Sequence, residues 1–434
     1  MQNGKRNSAL SIEGKNAKPT LRVMAILLAI LSFQFLYFIV STLQSCETDP
    51  KTSKEENERL VYRIRPADVP ADLDLDKLFH RQKMPIEDKM QQEITEPLPE
   101  GVSPRVFEKW TRPFPCFEPE ADWWSSRVQR SRTKTGFFFM KEMKTGSSTL
   151  AGVHLRISKN VARRLGSNYR TCKSRFDHAL AIEVDYAHRD KQNSFLWTVL
   201  REPTTRATSQ FFHFAVSRMK IEPSDANFKK ELQHFVFEEY YIKSLSTKSQ
   251  FNRTIDVKES VANILKDYDF IGIMERMDET LVVLSLLLNI PLSDVLYLKA
   301  KGNGGFDDGR FRKKCVYIVP PYVSPTMEAY FASPSWKTRI RADDYLYRLA
   351  NKSLDMTIEA LGKDLVARTV EEYKQLRSFA EQECADKVQY PCTSGGARLE
   401  HVPGCLWQDS GCGNPCLDKV THMVQKQTRK TTGT

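Results

Sequence analysis

The chain predicts an α/β protein, a P-loop-like parallel sheet flanked by helices, preceded by one transmembrane helix and a stem. Three observations carry that expectation. In the first, the apolar run Phe137 to Met140 reads as a short buried strand. A small polar turn follows, Lys144-Thr145-Gly146-Ser147-Ser148-Thr149, and then Leu150, Val153, Ile157, Val161 and Leu165 recur along one helical face. In the second, Ser194 to Leu200 is an apolar run of strand formers that ends at Arg201-Glu202-Pro203 and leads into a helical stretch, Thr204 to Arg218. In the third, Val23 to Leu43 carries no charge; at 1.5 Å per residue it spans about 30 Å, the hydrocarbon thickness.

The remaining elements follow the same reasoning. Strands are expected at Phe137–Met140, Phe195–Leu200, Asp269–Met274 and Val295–Leu298, and helices at Ser148–Leu165, Thr204–Arg218, Phe228–Leu245, Asp278–Leu288 and Arg341–Leu361. Gly166 stands where a helix C-terminal stop belongs, Pro203 at a helix start, and Asp278 as an N-cap; Asn289 with Pro291 ends that helix. Strands alternating with helices argue for a parallel sheet. The stretch Gly302 to Lys314 is glycine-rich and then basic, and reads as a solvated surface loop.

Lys5, Arg6, Lys15, Lys18 and Arg22 precede the apolar span, against Glu13 alone. The positive-inside rule then leaves the N-terminus in the cytosol and the rest across the membrane, as a signal anchor; the apolar core is too long for a cleaved signal peptide. The expected organisation is a cytosolic tail at 1–22, the anchor at 23–43, a stem and an aromatic lead-in segment at 44–134, a catalytic domain at 135–365 and a Cys-rich tail at 366–434. The sequons at Asn252 and Asn351 agree with a lumenal domain as glycosylation sites. Of nine cysteines, Cys46 lies just past the span; free, acylated and interchain-paired states all remain open for it, so a homodimer is admitted. The other eight permit full disulfide pairing, with five between Cys384 and Cys416. There is no CxxC pair, and His401 alone is near them, so a disulfide-stapled tail is favoured over a zinc site.

A formal net charge of +11 over 434 residues suits an anionic ligand; the membrane anchor argues against nucleic acid. The strand–turn–helix at 137–150 aims backbone N–H groups and a helix N-terminus at one point, where a phosphate fits. It is not a Walker A loop, because Lys144 precedes Gly146 and no glycine lies upstream in the strand, which opposes a P-loop kinase or nucleotidase. The second strand–loop–helix offers another anion site: Arg201 supplies a charged fork and Ser209, eight residues on, a hydroxyl. The bland alternative is that Arg201 pairs with Glu202 or Asp185.

Lys-Thr-Gly-Ser-Ser-Thr followed by Leu-Arg-Glu-Pro-x-x-Arg-x-x-Ser resembles the two cofactor-binding elements of Golgi carbohydrate sulfotransferases. The context is most like the galactose-3-O-sulfotransferase group, with the uronyl 2-O-sulfotransferases second. Tyr268–Leu281, Asp294–Lys299 and Asp344–Leu354 extend the likeness, so that it runs from about Phe137 to about Leu361. The resemblance implies a sulfotransferase fold and transfer of a sulfuryl group from 3′-phosphoadenosine 5′-phosphosulfate (PAPS) to a hydroxyl of a glycan or glycolipid, a galactoside first, at the Golgi membrane. The alternatives are a uronyl or hexosamine polysaccharide acceptor and a non-catalytic lumenal glycan-binding scaffold. Lys144 is expected at the leaving oxygen. Thr145, Gly146, Ser147, Ser148 and Thr149 are expected around the 5′-phosphosulfate, and Arg201 with Ser209 on the 3′-phosphate. His178 lies between the two elements, where related families carry a histidine, and is the expected base; Glu142 is the runner-up. Arg175, Asp177 and Glu275 are unranked acceptor contacts. The basic stretch 302–314 invites comparison with a loop that closes over the 3′-phosphate in many sulfotransferases. Sulfuryl transfer needs no metal, and the sequence shows no metal-binding constellation.

Overall fold

The computed structural model describes residues 101–115, 134–166, 174–234, 237–247, 256–298, 304–309, 314–385, 387, 392–399 and 413–432. The expected anchor, the stem, Asn252, and Cys46, Cys116, Cys172, Cys405 and Cys412 lie outside them. Among the described residues no helix is long and apolar enough to cross a membrane.

The centre is a parallel sheet of β1 (Gly136–Met140), β2 (Ser174–Asp177), β3 (Ser194–Leu200) and β4 (Phe270–Ile273), in the order β2-β1-β3-β4. Every residue of β1, β3 and β4 is buried. That explains why these strands read as continuous apolar runs rather than alternating ones, since both faces of such a sheet are covered. From β1 the chain moves outward to β2, then returns past β1 to β3 and on to β4. The direction therefore switches between β1 and β3, the place where ligands bind in open α/β sheets.

Helix α1 (Ser147–Arg164) follows β1 and packs on β1 and β2. Gly166, at φ 72°, takes the left-handed conformation expected after its last turn. Helix α2 (Pro203–Gln210) starts on Pro203 and passes directly into a π-helix, Phe211–Arg218, so the single expected α-helix has two windings. The helix expected over Phe228–Leu245 is likewise two, α3 (Asp225–Leu232) and α4 (Tyr240–Leu245), broken by Glu239 at φ 48°. Next come α5 (Val257–Asp267) and α6 (Met277–Leu288). Asn289 ends α6 in the left-handed region, but Asp278 does not cap its start: the N-cap is Arg276, and Asp278 accepts from Arg377 instead.

Two further expectations are corrected. Val295–Leu298 is buried but joins no strand; the Val295 carbonyl accepts from the Tyr373 hydroxyl (3.0 Å) rather than from a ladder. Short apolar runs do not distinguish these outcomes. The stretch 302–314 is not a loop throughout: β5 (Phe306–Gly309) pairs antiparallel with β6 (Lys314–Tyr317). Buried Asp307 accepts from Arg218 (2.9 Å), which ties this hairpin to the π-helix.

From Pro325 onward the described residues are mainly helical: α7 (Pro325–Ala332), α8 (Pro334–Arg339), α9 (Arg341–Leu361), α10 (Lys363–Cys384) and α11 (Asn414–Thr432). Helix α10 lies against α6 and α9. The disulfide Cys384–Cys416 joins α10 to α11, and Cys315–Cys392 joins β6 to the segment 392–399. Buried Arg156 of α1 meets Asp418 of α11 at 2.5 Å. The segment 101–115 packs against the same core, with Phe107 edge-on to Phe270 (centroids 5.3 Å) and its N–H donated to Thr357 Oγ1 (2.9 Å).

One glycine in the sheet is required by packing. A Cβ at Gly272 would meet Thr280 Cγ2 at 2.2 Å and Val199 Cγ2 at 3.1 Å. Thr280 Oγ1 accepts from the Ile273 N–H and donates to the Ile273 carbonyl, both at 2.9 Å, so it cannot move away without breaking the β4–α6 junction. Gly272→Ala is expected to cost roughly 2–4 kcal/mol of stability in chemical denaturation; an unchanged midpoint would contradict this packing.

Candidate active site

The C-terminal ends of β1, β3 and β4 carry one cluster of polar loops. After β1, Lys144 and Gly146 both adopt positive φ (66° and 70°), and Gly146 is the N-cap of α1. The left-handed backbone at Gly146 disfavours any other residue there, and a Cβ would stand 3.0 Å from Met277 Cε, which would have to shift. No side chain caps α1 and its first turn carries no acidic residue. Its leading N–H groups, at Ser147, Ser148 and Thr149, point out of the helix end with the positive end of the helix dipole behind them. Thr145 is buried and donates its hydroxyl to the Glu142 carbonyl (3.1 Å), bracing the loop from within.

After β3, Arg201 is half-buried and donates from Nη1 to the Lys144 carbonyl (3.3 Å). The two expected anion elements therefore touch, on either side of the switch point. Thr198 Oγ1 donates to the Met140 carbonyl (2.9 Å) just below, which fixes the spacing of the two strand ends. Glu202 is engaged elsewhere: its carboxylate accepts from Thr204 N (2.8 Å), Thr205 N (2.6 Å) and Thr205 Oγ1 (2.7 Å), capping α2. Asp185 meets His188 (2.5 Å). Ser209 is buried in the last turn of α2. Arg206, on the same helix, turns inward: it bonds Gln210 (2.7 Å) and lies over the Tyr240 ring, 3.7 Å from its centroid.

Glu275 follows β4 and closes the cluster. Its carboxylate accepts from Glu202 N (3.0 Å) and from the Tyr347 hydroxyl (3.2 Å). Burial raises its pKa, and the Arg201 charge works against that rise. His178 is exposed and comes directly after β2. Lys141 N donates to the neighbouring Asp177 carbonyl (2.9 Å), so His178 stands on the same edge of the sheet as the Lys144 loop, one strand away. Asp177 accepts from the Tyr186 hydroxyl (2.9 Å).

Glu142, the alternative base, is buried beneath the loop, where Ser244 Oγ donates to it at 2.7 Å. Burial pushes its pKa up to about 7. A carboxyl raised from 4.5 takes up a proton on folding, so its contribution is complete below about pH 4.5 and is lost as pH rises through 7. Glu239 and Asp343 are raised in the same direction, chiefly by burial. The thermal midpoint is therefore expected to fall between about pH 5 and about pH 8, and Glu142→Gln is expected to flatten that fall. A midpoint that rises over this range would refute the assignment.

The sequon residue Asn351 sits within α9, half-buried, with Oδ1 accepting from Arg276 (2.8 Å). Ser353 of that sequon is buried, its hydroxyl accepting from Arg105 N (3.0 Å).

Sequence reasoning missed Tyr240, Tyr241 and the cap at Glu202. The last had a local signal, an acidic residue before Pro203 and two threonines. The tyrosines had none, because they reach the site only through the fold.

The fold and this edge define an α/β protein in which the loops after two adjacent parallel strands, carrying Lys144 and Arg201, meet. Comparison with known proteins adds a relationship: the chain is similar to galactosylceramide sulfotransferase of Homo sapiens, 24% identical over 318 residues, covering 63% of this chain and 69% of that protein. It is also similar to galactosylceramide sulfotransferase of Mus musculus, 25% identical over 315 residues, with the same coverage. No family model matches the chain. The relationship to carbohydrate sulfotransferases that the two loop motifs suggested is thus supported by similarity along a large part of the chain.

Proposed function

We propose that this chain is a PAPS-dependent carbohydrate sulfotransferase acting on a galactoside of a glycolipid or glycan, anchored in the Golgi membrane as a single-pass type II protein. The observation that carries the reading is the contact between Arg201 and the Lys144 carbonyl, which brings two cationic loops to the switch point of a parallel sheet. A nucleotide with phosphates at both ends of its ribose needs two such loops side by side; a ligand with one phosphate group needs one.

The residues fit that co-substrate. The uncapped, acid-free first turn of α1 suits the 5′-phosphosulfate, and Arg201 and Ser209 are the residues assigned to the 3′-phosphate. In the transfer, the acceptor oxygen forms a bond to sulfur while the bond from sulfur to the bridging phosphate oxygen breaks. The electron pair stays on that oxygen, where Lys144 offsets the developing charge. The acceptor proton goes to His178, which is exposed at the sheet edge, whereas Glu142 is buried and already bonded to Ser244. Positioning and fixed charge supply the catalysis.

The direct test incubates the full chain in detergent with sulfur-labelled PAPS and offers galactosylceramide, a galactose-terminated oligosaccharide and a uronate polysaccharide. Label on either galactoside supports the reading, label on the polysaccharide alone moves the acceptor to the uronyl class, and nucleotide binding without transfer favours a scaffold. His178→Ala is expected to lower kcat by roughly 10²–10⁴-fold and to leave the affinity for adenosine 3′,5′-bisphosphate unchanged. Equal losses in both would make it a structural histidine.

A further inference from the structure

Two consecutive tyrosines reach the two loops from below. The Tyr240 hydroxyl accepts from Met143 N (3.1 Å), inside the first loop. The Tyr241 hydroxyl accepts from Arg201 N (2.9 Å) and donates to the Arg201 carbonyl (2.7 Å), so it holds both backbone groups of the residue that begins the second loop. Adjacent residues on a helix point about 100° apart, and here that divergence places one phenol under each strand end. Both side chains are buried.

Their base is fixed from two directions. Asp343 of α9 accepts from Tyr241 N (2.8 Å) and Ile242 N (3.2 Å), capping α4. In return Glu239 accepts from Ala342 N (2.9 Å) and Asp343 N (3.3 Å), capping α9. Above, the Arg206 guanidinium covers the Tyr240 ring. Helix α4 is thus a short rigid support, and its left-handed Glu239 is the break that turns it toward the sheet.

We propose that Tyr240 and Tyr241 are positioning residues that set the two phosphate-binding loops independently, Tyr240 the 5′ side and Tyr241 the 3′ side. The proposal rests on the nucleotide reading given above. A tyrosine that merely filled the core would, when its hydroxyl is removed, affect all ligands alike. A positioning tyrosine affects the phosphate its own loop holds.

The test compares binding of adenosine 3′,5′-bisphosphate and of adenosine 5′-phosphate by calorimetry in the full chain. Tyr241→Phe is expected to weaken the bisphosphate about tenfold, the scale of one to two lost hydrogen bonds, and to leave the 5′-phosphate unchanged. Tyr240→Phe is expected to weaken both of these nucleotides by a common factor and to leave adenosine 3′-phosphate unchanged, the converse pattern; equal weakening of adenosine 3′-phosphate would make Tyr240 a core-filling residue and overturn its half of the proposal. Equal weakening of both nucleotides in Tyr241→Phe, or no weakening, would overturn the proposal. A wild-type chain that does not prefer the bisphosphate would instead sink the nucleotide reading itself. A second measurement needs no variant: hydrogen exchange of the wild-type chain with saturating bisphosphate is expected to slow at 239–245 together with 141–146 and 201–203. Protection of the loops without 239–245 would also overturn the proposal.

Discussion

Lys144→Ala is expected to reduce sulfuryl transfer by at least 10²–10³-fold, the scale on which removing a preorganised charge-stabilising group lowers turnover, with the fold intact. The backbone at Lys144 already lies in the left-handed region, at φ 66°, a conformation that costs a non-glycine residue about 1 kcal/mol or more. The chain keeps a lysine where glycine would be more comfortable, which argues that the ammonium group is what this position supplies. Lys144→Gly makes the contrast sharper: it should lose activity as fully as the alanine variant while gaining up to about 1 kcal/mol in denaturation. Retained turnover in either variant would remove Lys144 from the reaction. A loss of turnover accompanied by unfolding in the alanine variant would leave it a structural role only.

Arg201→Ala is expected to weaken adenosine 3′,5′-bisphosphate by roughly 10–100-fold, the range of a charge-assisted hydrogen bond lost from a partly buried site. Adenosine 5′-phosphate should bind nearly as before, because the first turn of α1 remains. Arg201→Lys keeps the charge but not the planar fork, so its affinity should fall between the two. The variant also loses the bond to the Lys144 carbonyl (3.3 Å), so a small drop in turnover at saturating PAPS is expected from a less firmly held first loop. Uniform loss of affinity for both nucleotides would mean that Arg201 braces the loop rather than reading the 3′-phosphate.

The parts of this molecule legible in the sequence are those whose signal is local. The strands β1, β3 and β4 are short, fully buried and bounded by turn residues, and α1 and α9 carry clear helical faces, so periodicity located them. The turn before α1 was recognisable because its residue types serve a backbone purpose: glycine at positive φ against Met277, and small polar residues in the first helical turn. What escaped was set by distant partners. Strand β2, Ser174–Asp177, carries Phe176 as its one apolar residue and is a strand because β1 pairs with it. The hairpin at 306–317 looks like a basic loop until Asp307 is seen buried against Arg218 and Cys315 bonded to Cys392. The break at Glu239 is stabilised by carboxylates that cap each other's helices across about a hundred residues of sequence, and no window of sequence contains that information. The same holds for the site: Lys144 and Arg201 could be named from motif, but their contact, and the tyrosines beneath them, belong to the tertiary structure.

The most direct measurement of the central claim is a crystal structure of this chain with adenosine 3′,5′-bisphosphate. One nucleotide is expected to bridge the ends of β1 and β3, its 5′-phosphate on the N–H groups of Gly146 to Thr149 and its 3′-phosphate on Arg201. A nucleotide bound away from this edge, or one whose 3′-phosphate faces away from Arg201, would contradict the account.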